Sequence, residues 1–310
     1  MKAVLPAYTR PFLAPHLPAG VDVAYARSPE DVVAGVADAE IGWLDTPGVP
    51  MTEFIARGRA LKWVSTAYAG VDRFPLQEFA RRNILFTHGA GINAIPVAEY
   101  AVMGVVAAAK RIDEIVRAHD RKDWLDEAPG KTEIFETKAL IIGMGAIGRE
   151  IASRLRGLGV EVTGVRRRPD AGAIGPDAWR DRLGEFDWII LAAPITPETK
   201  HCIAAAELAA MKQTAWIIAV SRGGLIDHDA LYAAVSSGRI GGAFLDVADP
   251  EPLPQTSPLW SAKNVIITMH LSGRSTRRFA ERASALFLDN LRAYCEGRPM
   301  RNIVDLAAGY

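Results

Sequence analysis

The chain has 310 residues, 49% of them hydrophobic and 23% charged, with 36 Lys and Arg balanced by 36 Asp and Glu. That length is two typical domains' worth, and the composition is that of a globular chain with sizeable cores. A formal net charge of zero excludes nucleic acid or an anionic membrane as a partner captured by bulk charge.

Taken in order, residues 2–5 read as a first strand. Pro6, Arg10 and Pro11 interrupt the next stretch, so the apolar core of a signal peptide is lacking and a cytoplasmic protein is expected. Further strands are predicted at 21–25, 41–44, 61–65 and 84–87, with helices at 30–36 and 52–57. Pro96 opens a long helix towards Lys110. That helix carries Glu99 and stops at Lys110-Arg111, too short and too charged at its ends to span a bilayer. From Trp124 to Lys131 runs a polar connection bearing proline and glycine.

Beyond it, strands are predicted at 139–142, 160–165, 187–192, 215–220, 241–246 and 264–269, near-continuously apolar as buried parallel strands are. Strand and helix alternate throughout, which predicts an α/β protein with parallel sheets. A last amphipathic helix over 276–295 returns to the first domain. That domain is then discontinuous, 1–96 with 276–310, around a second domain at 97–275. Cys202 and Cys295 are the only cysteines and lie far apart, so free thiols in a reducing compartment are expected. No metal site is expected.

Gly143-Met144-Gly145-Ala146-Ile147-Gly148 is the most informative stretch because of its flanks. The strand 139–142 precedes it. After it, Ile147, Ile151, Leu155 and Leu158 share one helical face, and the strand 160–165 comes next. In that setting G-x-G-x-x-G binds a dinucleotide pyrophosphate at a helix N-terminus. The first glycine makes the turn, the second lets the backbone approach the phosphates, and the third packs the helix on its strand. NAD-binding units carry an acid about 20 residues further on. Here Arg166, Arg167 and Arg168 stand instead, and Arg166 lies 18 positions after Gly148. A guanidinium fork suits a 2′-phosphate, so NADP(H) is the expected cofactor, with NAD(H) second.

Three more polar groups fall at the ends of predicted consecutive strands, where open α/β sheets place their ligands. Arg222 follows Val220-Ser221, Asp246 and Glu251 follow the next strand, and His270 ends the one after. An Arg can hold a carbonyl or carboxylate through its fork. A His can give or take an alcohol proton as hydride moves, and a carboxylate beside it orients the ring.

These motifs resemble those of the D-isomer-specific 2-hydroxyacid dehydrogenases over nearly the whole chain. The resemblance rests on the glycine loop, Ala193-Pro194-Ile195-Thr196-Pro197-Glu198-Thr199, Met211-Lys212, Ser221-Arg222-Gly223-Gly224, the run from Asp246 to Pro252, and Thr268-Met269-His270. It implies two Rossmann-like or flavodoxin-like domains with the active site in the cleft between them. It also implies substrate-binding Arg222, His-supporting Glu251 and general acid/base His270. Cofactor contacts are implied from Gly143, Gly145, Ala146, Ile147, Gly148, Arg166, Arg167, Ala193, Pro194, Thr199, Val220, Ser221, Asp246 and His270. In the first domain, Ser65-Thr66-Ala67-Tyr68-Ala69-Gly70-Val71-Asp72 resembles the loop whose amides hold the substrate carboxylate, giving Tyr68, Ala69 and Gly70. The tail, Asn302 to Asp305 and Gly309-Tyr310, resembles the subgroup of glyoxylate/hydroxypyruvate reductases. A homodimer acting on a small 2-ketoacid is the implied form. Related chemistry on another small anion, as in phosphite dehydrogenases, is one alternative, and a dinucleotide-sensing protein like the corepressors of this fold is another. Three departures stand out: Met269 where the family has Pro, Ser221 where it has Ala, and Tyr68-Ala69 in a loop usually richer in glycine. Arg274, just after His270, is an added charge for a second anionic group.

Overall fold

A computed structural model describes residues 1–46, 48–71, 73–169, 172–274, 278–307 and 309. Asp72 and Tyr310, which belong to the motifs above, and Thr276, the expected start of the last helix, lie outside the described residues. The chain divides into two compact units, Met1–Asn93 with Ser275–Tyr310, and Ala94–Arg274. The first break falls three residues earlier than the proposed 96/97 and the second one residue earlier than 275/276. The first shift has a local cause: the long helix spans Ala94–Lys110, with Pro96 in its first turn. A proline costs nothing there, because first-turn amides have no partner within the helix.

The first unit is a five-stranded parallel sheet of β1 (Lys2–Pro6), β2 (Asp22–Ala26), β3 (Ile41–Trp43), β4 (Trp63–Ser65) and β5 (Leu85–Thr87). Its order, β2-β1-β3-β4-β5, is that of a flavodoxin-like doubly wound sheet. One face packs Val4, Phe54, Val64, Phe79 and Phe86 under short helices such as Met51–Arg57 and Leu76–Arg81. The other face packs Trp43 and Trp63 against Phe287 of the helix Phe279–Cys295, with ring centroids 4.7 and 4.9 Å apart. The end of the chain thus supplies one layer of this unit's core.

The second unit is a seven-stranded parallel sheet: β6 (Lys138–Ile142), β7 (Glu161–Val165), β8 (Ala173–Ile174), β9 (Trp188–Leu191), β10 (Trp216–Ala219), β11 (Gly242–Leu245) and β12 (Val265–Ile267). Its order, β12-β11-β10-β9-β6-β7-β8, is the Rossmann arrangement with one strand added at the edge. Strands β9, β10 and β11 are buried at every residue, which explains their unbroken apolar sequence. The two-residue β8 has no periodicity to read, and sequence reasoning did not find it. Strand β12 stops at Ile267 instead of 269 because Met269 and His270 both adopt φ of +56°. Strand order reverses at β6, whose neighbours are β7 on one side and β9 on the other, so β6 and β9 flank the crevice where such sheets bind ligands. Among the described residues no helix is long and apolar enough to cross a membrane. Both cysteines are free, Cys202 buried and Cys295 exposed.

Candidate active site

The glycine loop joins β6 to the helix Ala146–Gly157 at that crevice. Gly143 has φ of +106°, and a Cβ there would stand 2.4 Å from the Ala193 amide nitrogen, beyond β9. A Cβ on Gly148 would stand 2.1 Å from the Gly143 carbonyl oxygen, so the helix packs on the loop only with glycine. Gly145 differs: a Cβ would meet nothing within 4 Å. The first and third glycines are therefore demanded by the protein's own packing. The second leaves open space beside the helix N-terminus, the position through which a pyrophosphate approaches.

The loop is stitched to the end of β7, where the Gly143 and Met144 amides donate to the Val165 carbonyl at 3.0 and 3.1 Å. Arg166 is the next residue, its own amide donating to Ile174 of β8 at 3.1 Å. Arg166 and Arg167 thus leave the sheet directly beside the phosphate loop. This donor set, a glycine turn with open space and cationic forks at the following strand end, fits a dinucleotide. Past β9, Ala193 is buried, and Thr199 closes the loop by donating its hydroxyl to the Pro194 carbonyl at 2.8 Å. Lys212 of the Met211-Lys212 pair binds Asp187 at 2.7 Å, so that motif anchors the start of β9.

At the end of β10, Val220 is buried and donates its amide to Leu191, and Arg222 flanks a short turn at Gly223–Leu225. Arg222 is half-buried and folds one Nη1 donor onto the Ser221 carbonyl at 2.8 Å. A Cβ on Gly223 would stand 2.0 Å from the Ala248 carbonyl carbon. The loops carrying Arg222 and Glu251 therefore touch backbone to backbone. Glu251 accepts from the Ala248 amide at 3.1 Å through Oε1 and meets His270 Nδ1 at 2.8 Å through Oε2. A carboxylate only accepts, so Nδ1 carries the proton and Nε2 is left to exchange one with a ligand.

Asp246 is almost completely buried at the end of β11. Its Oδ1 accepts from Thr268 Oγ1 at 2.7 Å and the Leu271 amide at 3.0 Å, and the Ser272 amide lies 3.3 Å from both oxygens. The His270 amide donates to its carbonyl at 2.5 Å. The resemblance implies Asp246 at the cofactor; in the structure its carboxylate also holds the loop that presents His270. That loop needs holding, because left-handed backbone at two successive non-glycine residues is unfavourable. Proline, fixed near −65°, has no access to the +56° of Met269, so the departure at 269 goes with a different loop conformation. Arg274 is exposed on the turn after His270, its amide bonded to Leu271.

In the first unit, Tyr68 is 54% exposed beyond β4, with Ala69 and Gly70 after it. The Gly89 amide donates to the Tyr68 carbonyl at 2.8 Å. Two polar groups escaped sequence reasoning. Asp45 is buried after β3. His228 beside Asp249 keeps Nε2 buried and unbonded, and burial lowers its pKa. An acid directly after an apolar strand was the available signal for Asp45. Among the described residues no group of three His, Cys, Asp or Glu is arranged to hold a metal.

Strand order, glycine loop and strand-end polar groups define a dinucleotide-binding α/β protein. Comparison with known proteins narrows this class. Residues 102–272 match the model of the D-isomer specific 2-hydroxyacid dehydrogenase, NAD binding domain. The chain is 34% identical to human glyoxylate reductase/hydroxypyruvate reductase over 257 residues, 79% of this chain and 77% of that protein. It is 29% identical over 293 residues to D-3-phosphoglycerate dehydrogenase of Methanocaldococcus jannaschii, covering 92% of this chain but about half, 55%, of that protein. A D-isomer specific 2-hydroxyacid dehydrogenase from Xanthobacter autotrophicus, solved in complex with NADPH and MES, superposes with a TM-score of 0.79 at 28% identity, covering 100% of this chain and 99% of that one. A family protein from Aeromonas salmonicida gives 0.85 at the same identity, covering 98% of each chain. The chain belongs to the D-isomer specific 2-hydroxyacid dehydrogenase family.

Proposed function

We propose that this protein is an NADP(H)-preferring reductase that converts a small 2-ketoacid, of the glyoxylate or hydroxypyruvate kind, to its D-2-hydroxy acid. The observation that carries the reading is the 2.8 Å pair of His270 Nδ1 and Glu251 Oε2. It stands on the same sheet edge as Arg222 and the glycine loop. The second unit is the dinucleotide-binding domain and the first the substrate-binding domain. Gly143, Gly145 and Gly148 shape the phosphate site, with Ala146 and Ile147 opening the helix beside it. Ala193, Pro194, Thr199, Val220 and Ser221 line the neighbouring strand ends, and Arg166 with Arg167 holds the 2′-phosphate. When bound, the nicotinamide supplies the hydride.

The chain's own residues do the rest. Arg222 grips the keto oxygen and carboxylate through its fork, which fixes the carbonyl for attack. His270 gives its Nε2 proton to the oxygen as charge develops there. Glu251 stabilises the imidazolium before transfer and orients the ring afterwards. Tyr68, Ala69 and Gly70 receive the carboxylate, and Arg274 meets a further anionic group. The pair of acid and imidazole favours catalysis over a purely sensory role, because dinucleotide sensing needs neither.

The test is oxidation of NADPH and NADH with a panel of 2-ketoacids, phosphorylated and not. Turnover of glyoxylate or hydroxypyruvate well above 3-phosphohydroxypyruvate is expected. Failure with every ketoacid, but turnover of phosphite with NADP⁺, would replace the substrate class.

The protein is further expected to be a C2 homodimer. Met103 and Val106 on the long helix, Ile112, Ile115 and Val116 on the helix Ile112–Asp120, and Trp124, 93% exposed, put an apolar surface on consecutive segments of the second unit. Light scattering at micromolar concentration should give twice the 33.5 kDa chain mass. A monomer would remove the assignment.

A further inference from the structure

The first unit holds a polar cluster of its own, at the carboxyl ends of β3, β4 and β5. Its centre is Asp45, whose side chain is buried with no cation bonded to it among the described residues. Trp43 Nε1 and the Ala67 amide, the latter at 2.6 Å, donate to Oδ2, and Thr66 Oγ1 donates to Oδ1 at 2.6 Å. The Thr66 hydroxyl oxygen in turn accepts from the Tyr68 amide at 3.1 Å. Gly89 backs the same loop closely: a Cβ there would lie 1.9 Å from the Ala67 carbonyl oxygen. Burial raises the pKa of Asp45 against the pull of its donors.

Burying a carboxylate is costly, and closing a core does not require one. What a carboxylate adds is acceptor capacity on two oxygens, where asparagine has one. Asp45 uses both oxygens to draw two consecutive amides inward, Ala67 directly and Tyr68 through Thr66. The next three amides, of Ala69, Gly70 and Val71, meet no acceptor among the described residues. Successive free amides form anion-binding concavities, and these stand at the carboxyl edge of an open parallel sheet.

We propose that Asp45, acting with Thr66, is the positioning residue of the substrate-carboxylate loop: it consumes the inward amides so that those of Ala69 and Gly70 face the substrate. The inference rests on the reading of residues 68–70 as that loop. It adds a residue from a different strand, 21 and 22 positions before its partners.

Two variants test it in the full-length protein. Asp45→Asn removes one acceptor oxygen, and Thr66→Val cuts the relay to Tyr68 while leaving Asp45 in place. Each should raise KM for the best ketoacid about tenfold, the loss expected for one hydrogen bond to a charged group. The turnover number and the NADPH dissociation constant should change far less, and Thr66→Ser should restore KM. Should Asp45→Asn fail to fold, Thr66→Val decides. Unchanged KM in Thr66→Val, or equal losses in KM and kcat that serine does not rescue, overturns the proposal. Amide chemical shifts of Ala69 and Gly70 in the unsubstituted protein, with and without oxamate, separate the two layers. No response sinks the carboxylate-loop reading itself, whereas a response together with unchanged variants sinks only the role of Asp45.

Discussion

Replacing His270 with alanine is expected to lower kcat by about 10²–10⁴-fold, the usual loss when a general acid is removed. The backbone sets up this dependence. His270 lies three residues beyond the end of β12 in a left-handed conformation, and Asp246 binds the amides on its far side, so the ring's position is set by the loop. Glu251 then fixes which nitrogen carries the bound proton. Deleting the imidazole leaves the glycine loop, Arg166 and Arg222 untouched, so NADPH affinity should barely move. Glu251→Gln should give a smaller loss in the same direction, because an amide still orients the ring but no longer stabilises its charge. Pre-steady-state reduction of the best ketoacid, with NADPH binding measured by fluorescence, checks both. Near-normal turnover in His270→Ala would remove His270 from the mechanism.

Arg166→Asp is expected to turn cofactor preference towards NADH. Each charge-assisted hydrogen bond lost to the 2′-phosphate is worth about 1.5–3 kcal/mol, or roughly 10–100-fold in kcat/KM. The new carboxylate would repel the phosphate of NADPH and accept from the free ribose hydroxyls of NADH. Arg166 suits this test because it follows Val165, the residue to which the glycine loop is bonded. Comparing kcat/KM for both cofactors before and after substitution reads the effect. Equal values in the unsubstituted enzyme would falsify the assignment.

What the sequence made legible is what local chemistry controls. Gly143 and Gly148 could be read because a turn at φ of +106° and a contact at 2.1 Å each exclude a side chain. Strands β9, β10 and β11 were read because complete burial leaves an unbroken apolar run. The first strand of each unit and the helices at 29–35 and 51–57 came from the same kind of signal, whereas the pairing of Glu251 with His270 came from the family resemblance. Asp45 was illegible because its partners Thr66 and Ala67 sit on another strand end. The hydrogen bonds of Asp246 were illegible for the same reason: their donors lie 22 to 26 positions further along the chain. Strand β8 is only two residues long and carries no pattern to find.

The way the chain is divided bears on how it is made. Residues 94–274 are contiguous, so the second unit has all its strands once they have emerged from the ribosome. The first unit does not. Phe287, stacked on Trp43 and on Trp63, and Val304, bonded to Phe86, come from the segment that follows the second unit. At about 5–20 residues per second, the amino-terminal sheet waits through the whole synthesis of the other unit with one apolar face uncovered. The indole faces of Trp43 and Trp63 are that exposed surface, and the nascent chain is most vulnerable to aggregation and to chaperone capture during this interval.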